Sequence, residues 1–191
     1  MKYSFFILSA IVLFMLTACG NNGVSKKDVV SDVEITEQDA GFMREAIHLA
    51  SESVAHGGGP FGAVIVKDGK VIAGRSNSVT IDNDPTAHAE VNTIRQACHD
   101  LGTFDLSGCV IYTSCEPCPM CLGAIYWAGI EKIYYGNTRQ DAADINFDDN
   151  FIYEELDKPM SERSIPIIPM LRDEALESFR LWSAKTDKTE Y

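Results

Sequence analysis

Two hydrophobic periodicities alternate along this chain, and their order predicts its architecture. From Thr36 onward, Phe42, Met43, Ala46, Ile47 and Ala50 fall on one stripe at helical spacing. Thr36-Glu37-Gln38-Asp39 reads as the start of that helix, with Thr36 as its N-cap. Two short apolar runs, 63–66 and 71–73, then flank Asp68-Gly69, the signature of a tight hairpin. A second helix is predicted over about 86–101, with Val91, Ile94 and Ala97 turned inward. A strand over 110–113, a helix over 117–127 and a strand over 132–135 follow. Residues 165–170 read as an edge strand, the position in a sheet where Pro166 and Pro169 are tolerated. A helix over 173–184 closes the chain. Strand–helix alternation after an opening hairpin predicts an α/β fold with a mixed sheet between helices. The helices over 86–101 and 117–127 each begin where a loop or strand ends, so their first turns can meet.

The first residues follow a different pattern. Lys2 is the lone charge ahead of an apolar run over 5–16, too short to span a bilayer and flanked like a secretory signal. Residues 20–34 are polar and read as a tether. The remaining length is one domain's worth, enough for a sizeable core, and contains no repeat. The predicted division is therefore a signal peptide over 1–18, a tether over 19–35 and a single domain over 36–191.

Charge narrows the function classes. The net charge is −12, and loss of residues 1–18 removes Lys2 and no acid, leaving −13. Nucleic-acid binding is driven by Lys and Arg neutralising phosphates, and this acidic chain has no basic stripe. A free base or nucleoside fits it better than a tRNA.

The chemistry lies in two segments. His88-Ala89-Glu90 precedes Pro117-Cys118-Pro119-Met120-Cys121 by about one helix and one strand. His88, Cys118 and Cys121 are three metal-ligating side chains, and three protein ligands leave a fourth tetrahedral position for water, the arrangement of a catalytic zinc. Cys118 and Cys121 share a helical face at a spacing of three, and Pro117 suits a helix start. The N–H groups of such a first turn favour thiolates, the metal-binding form. Two thiolates neutralise Zn²⁺ and weaken its acidification of water, so a nearby base is needed, and Glu90 is the candidate. A spacing of two does not by itself bring Glu90 beside His88. A bare C-x-x-C also builds structural zinc knuckles and redox pairs, and Cys115 could close a Cys₃His structural site with the same ligands. The complete H-x-E…P-C-x-x-C pattern is, however, the signature of zinc-dependent nucleobase deaminases.

Longer stretches extend this resemblance. Gly58-Gly59-Pro60-Phe61-Gly62-Ala63-Val64-Ile65-Val66-Lys67-Asp68-Gly69 resembles the opening hairpin of the cytidine deaminase-like fold. Residues 83–91 and 113–127 resemble the two zinc segments of its purine-acting members. Phe147-Asp148-Asp149-Asn150-Phe151-Ile152-Tyr153 and the terminal Tyr191 are similar to segments of the bacterial guanine deaminase family. The resemblance runs from about Thr36 to Tyr191. It implies a three-layer α/β/α fold with a central mixed five-stranded sheet and one Zn²⁺ per chain on His88, Cys118 and Cys121. It implies Glu90 and Asp149 as catalytic residues, and Asn77, Phe61, Ala89, Trp127 and Tyr191 as substrate-binding residues. The expected reaction is hydrolysis of guanine to xanthine and ammonia. Alternatives are another nucleobase or nucleoside such as cytosine or adenine, tRNA adenosine, or a zinc-binding protein without catalysis. The family further implies a homodimer in which the C-terminal element crosses to the partner and Tyr191 lines a pocket. Leu16-Thr17-Ala18-Cys19 resembles the lipobox of bacterial lipoproteins, which implies acylation of Cys19 and a membrane anchor outside the bacterial cytoplasm, on the periplasmic or cell-surface side. Of the six cysteines, Cys98 and Cys109 read as small buried hydrophobes.

Overall fold

The structure, a computed structural model, describes residues 34–190. The expected signal peptide over 1–18, Cys19, all but the end of the tether, and Tyr191 lie outside the described residues.

The first helix, α1 (Glu37–Ala55), starts as its sequence predicts. The Thr36 side chain accepts the Asp39 N–H, and Asp39 accepts the Thr36 N–H at 2.9 Å, a reciprocal capping box. The hairpin joins β1 (Gly62–Lys67) to β2 (Lys70–Ser76) through Asp68 (φ 50°) and Gly69 (φ 71°). Two successive positive φ angles match the type I′ turn that suits strand twist. A short helix, α2 (Val79–Asp82), leads to α3 (Ala89–Leu101), β3 (Cys109–Cys115), α4 (Pro119–Trp127) and β4 (Lys132–Asn137). Beyond these lie α5 (Arg139–Ala143), α6 (Asn150–Asp157), a 3₁₀ turn (Met160–Glu162) and α7 (Arg172–Ala184).

Among the described residues the sheet has four strands in the order β2-β1-β3-β4, not the expected five. It is mixed, as predicted: β1 is antiparallel to β2 and β3, and β3 is parallel to β4. The missing strand is 165–170, which is irregular and exposed. Pro166 and Pro169 remove two of its N–H donors, so it offers β4 an incomplete ladder.

Helices cover both faces of the sheet, which explains why β1 reads as an unbroken apolar run rather than an alternation. Ala63, Ile65, Cys109 and Ile111 point to the side of α3 and α4, where Ala89, Ala97, Leu106 and Ile125 complete one core. Val64, Val66 and Tyr112 point to α1 and meet Ala46, Phe42, Met43 and Leu49. Cys109 is fully buried and Cys98 packs against the same core, so both serve as small apolar residues. Ile47 departs from the predicted stripe: it is 47% exposed, at the stripe's edge. Tyr112 stacks on Tyr134 with ring centroids 4.9 Å apart and donates its hydroxyl to Asp39, tying α1 to the sheet.

The approach of α1 to β1 is close because position 62 has no side chain. A Cβ on Gly62 would lie 2.3 Å from the Ala46 carbonyl oxygen and 2.6 Å from the Ala50 nitrogen, both main chain. Gly62→Ala should therefore destabilise the domain by about 1–3 kcal/mol, the cost of overpacking. Gly41→Ala, on α1 with nothing within 4 Å of the new Cβ, should stabilise it by about 0.5–1 kcal/mol. Denaturant midpoints at unchanged m-value measure both.

Candidate active site

The predicted helices 86–101 and 117–127 begin later than expected, and the difference creates the site. The structure starts α3 at Ala89, with His88 as N-cap (φ −71°, ψ 156°), and α4 at Pro119, with Cys118 as N-cap (φ −63°, ψ 167°). Pro119, not Pro117, occupies the first helical position, where a missing N–H costs nothing. Each N-cap residue is extended, so its side chain leaves the helix axis and can turn toward the other helix. Cys121, in the first turn of α4, joins them.

The ligating atoms of His88, Cys118 and Cys121 all lie within 4.8 Å of one another. His88 Nδ1 stands 3.6 Å from Cys118 Sγ and 3.5 Å from Cys121 Sγ. Tetrahedral zinc with bonds near 2.3 Å to sulfur and 2.0 Å to nitrogen requires a separation of about 3.6 Å. The donor set and its spacing therefore fit zinc. Cys115 does not close the set. Its thiol points to the Thr138 carbonyl at 3.6 Å, and among the described residues it belongs to no metal-ligating group. This geometry disfavours the Cys₃His structural alternative.

Proton affinities agree with the geometry. The Cys121 thiol hydrogen-bonds to Cys118 and, with His88, draws Cys118 down to about 4. The same bond pushes Cys121 up, and a divalent cation bound there would displace the ligand protons. His88 is raised, first by its contact with Cys118. Glu90, in the first turn of α3, is 6% exposed and accepts the Thr113 hydroxyl at Oε1 over 2.9 Å. Burial raises its pKa. Its Oε2 lies 3.3 Å from Cys121 Sγ, beside the ligands.

A cavity of about 590 Å³ opens over this cluster, within the size range of small-molecule sites. His88, Glu90 and Cys118 line it, and so do Phe61, Asn77 and Asp149. Asn77 is 5% exposed, and its Oδ1 accepts the Gly59 and Val79 N–H groups, each at 3.3 Å. Phe61 meets Phe147 edge to face at 5.1 Å. Of the acid pair, Asp148 accepts the Asn150 N–H and shapes the turn, while the half-buried Asp149 has its pKa raised by burial and by Cys118. A second, smaller cavity between Ile47, Val54 and Gly136 contains no titratable group.

Two residues expected to bind substrate do not line the cavity of the single chain. The Ala89 side chain is fully buried in the hydrophobic core and does not line the cavity. Trp127 is 77% exposed at the far end of α4 and is also absent from the cavity wall. The helix carries it about 12 Å along its axis from Pro119. Sequence reasoning assigned no role to Phe147, Arg139 or Thr113. The first two approach the cavity only through tertiary packing, with Arg139 over the Tyr153 ring at 5.1 Å. Thr113 was traceable in principle, as the next residue on the α3-facing side of β3 after Ile111.

A mixed sheet between helices, with His and two Cys at converging helix starts and a buried carboxylate beside them, defines a zinc deaminase. The chain matches the cytidine and deoxycytidylate deaminase zinc-binding region over residues 36–137, and it belongs to that family. It is 55% identical over 151 residues to the guanine deaminase of Bacillus subtilis (strain 168), covering 78% of this chain and 97% of that protein. The X-ray structure of guanine deaminase from Bacillus subtilis superposes with a TM-score of 0.77 at 54% identity, covering 80% of this chain and 98% of that one. A guanine deaminase structure from Nitrosomonas europaea gives 0.56 at 27% identity, covering 82% of each chain. The tRNA-specific adenosine deaminase of Bacillus subtilis (strain 168) is 41% identical over 99 residues, covering 52% of this chain and 62% of that protein.

These findings correct the expected location outside the bacterial cytoplasm. The B. subtilis guanine deaminase is matched over 97% of its own length by 151 residues, which leaves that enzyme no length for a leader or anchor. Among the described residues, no helix is long and apolar enough to cross a membrane.

Metal analysis of the purified protein should give about one zinc per chain. Cys118→Ala should lose it, because two protein ligands remain, whereas Cys115→Ser should keep it. Loss of zinc from Cys115→Ser would revive the structural-site reading.

Proposed function

We propose that the chain hydrolyses guanine to xanthine and ammonia. One observation carries this reading. The match to guanine deaminase spans 151 residues and so runs well beyond the zinc-binding region at 36–137, while the match to the tRNA adenosine deaminase spans 99. The cavity supports a small neutral substrate. Arg139 is the one Lys or Arg among the described residues that line it, beside Glu90, Glu116, Asp148 and Asp149.

His88, Cys118 and Cys121 would hold the metal. Zinc bound there supplies Lewis-acid activation of a water molecule that adds to C2 of the base. Glu90 would take one proton of that water and give it to the ring nitrogen, and would then carry the second, released from the new hydroxyl as the carbonyl forms, to the amino group, which leaves as ammonia. Burial raises the Glu90 carboxyl, which helps it hold a proton it has taken. Asn77 has its Oδ1 committed to two backbone N–H groups, which orients its Nδ2 as a donor for a purine acceptor. Asp149 supplies an acceptor for purine N–H groups. Phe61, with Phe147 against its edge, forms an apolar wall on which the base can pack.

The C-terminal segment supports a homodimer. Ile168, Met170, Phe179 and Leu181 are 80%, 79%, 70% and 65% exposed, and α7 contributes no buried residue. A single chain leaves this run of large apolar side chains in water, and a partner copy would cover it. The same crossing would bring Tyr191 to a pocket of the partner.

A panel of purines and pyrimidines assayed for ammonia release should show guanine well ahead of cytosine, adenine and adenosine. Glu90→Ala should keep its zinc and lose a hundredfold or more in kcat, about the contribution of a positioned general base. Faster turnover of cytosine than of guanine would defeat the assignment. Deletion of the residues after Ala184 should raise KM or lower kcat for guanine without loss of zinc. A truncated enzyme with unchanged kinetics, or an active monomer in sedimentation, would exclude a shared site.

A further inference from the structure

The carboxylate of Glu90 has two oxygens, and the fold treats them differently. Oε1 accepts the Thr113 hydroxyl at 2.9 Å, and Oε2 lies 3.3 Å from Cys121 Sγ, at the metal-ligating cluster. Thr113 is 1% exposed, so its hydroxyl is shielded from water. It lies in β3, paired with Ala63 of β1 on one side and Tyr135 of β4 on the other. A strand paired on both sides fixes the main chain, and β-branching restricts the side chain to few rotamers. The hydroxyl is therefore a rigid donor on the sheet, aimed at a side chain carried by α3.

We propose that Thr113 is a positioning residue for the deamination. Its hydrogen bond anchors Oε1 and so fixes the plane of the Glu90 carboxylate, leaving Oε2 as the oxygen presented to the water and the base. A terminal carboxylate otherwise rotates broadly about its last bond. The anchor serves the whole proton cycle. When Oε2 takes up the water proton, Oε1 remains an acceptor and the Thr113 bond persists. When Oε2 gives the proton to the base, nothing at Thr113 has to move. Thr113 itself neither gains nor loses a proton. The inference rests on the proton-transfer role assigned to Glu90 above, and it does not depend on which base is the substrate.

Thr113→Val keeps the β-branched shape and removes the donor. In the zinc-loaded full chain it should lower kcat about tenfold or more. KM should change less than twofold, and zinc should stay at one per chain. Thr113→Ser, which restores the hydroxyl, should return kcat to within about threefold of the parent. Added to Glu90→Gln, Thr113→Val should cost nothing more, because residues that act as a unit are not additive. The carboxylate stretch of Glu90, taken as the infrared difference between the parent and Glu90→Gln, should shift in Thr113→Val and return in Thr113→Ser. Four results would each overturn the proposal: a Thr113→Val enzyme within twofold of the parent, equal losses in the Ser and Val variants, zinc loss in step with rate, or a full additional loss in the Glu90→Gln background. A parent inert toward every base would defeat the proposed function alone, and the infrared signature would still decide this inference.

Discussion

The two helix starts that carry the ligands converge because α3 and α4 pack on the same face of the sheet. Ala89 and Ala97 of α3 and Ile125 of α4 press on Ala63, Ile65, Cys109 and Ile111, and this shared core fixes where both first turns lie. The small residues of α3 matter here, because Ala89 and Ala97 let the helix approach the strands closely. His88 and Cys118 stand one residue outside their helices, in extended conformation, so each side chain reaches across the gap rather than along its own helix. The observed nitrogen–sulfur spacings of 3.6 and 3.5 Å follow from this packing.

The same convergence creates the electrostatics of the cavity. Two helix N-termini meet beside the sulfurs, and their free N–H groups favour negative charge there. There the Cys121 and His88 contacts draw the Cys118 thiol down to about 4, next to a Glu90 carboxyl raised by burial. A metal dication balances what would otherwise be a costly concentration of buried acids. The rim is acidic as well, so the cavity favours a neutral base over a phosphorylated one. The charge of −12 in the whole chain acts in the same direction.

The outer part of the structure is less complete within one chain. Strand β4 is the last strand of the sheet, and residues 165–170 do not pair with it. Phe179, Leu181 and Trp182 of α7 face solvent, although Leu176 is partly covered. Such a stripe normally marks a face that packs on another element. Within one chain the zinc-binding region forms a closed core, whereas the C-terminal helix has an unused apolar side.

The sequence alone determined most of the elements around the site and its ligand chemistry. Periodicity located α1, the Asp68-Gly69 hairpin, β3 and β4 to within a few residues, because local sterics and capping act over short spans. The ligand types were legible because zinc accepts few side chains, and His88, Cys118 and Cys121 occur in a pattern specific to them. The location of Glu90 was not legible from spacing. It enters the site because His88 is an N-cap rather than a helical residue, which removes the angular rule that would separate the two. The sequence also left Cys115 open, and only the strand direction of β3 decided that its sulfur turns to the Thr138 carbonyl. The family resemblance implied Ala89 and Trp127 as substrate contacts, and in the single chain a helix turns the first into the core and carries the second away from its start. Thr113 joins Glu90 across 23 residues of chain. A contact of that kind is set by the register of β3 against β1 and by the seat of α3 on both, and no local pattern encodes it.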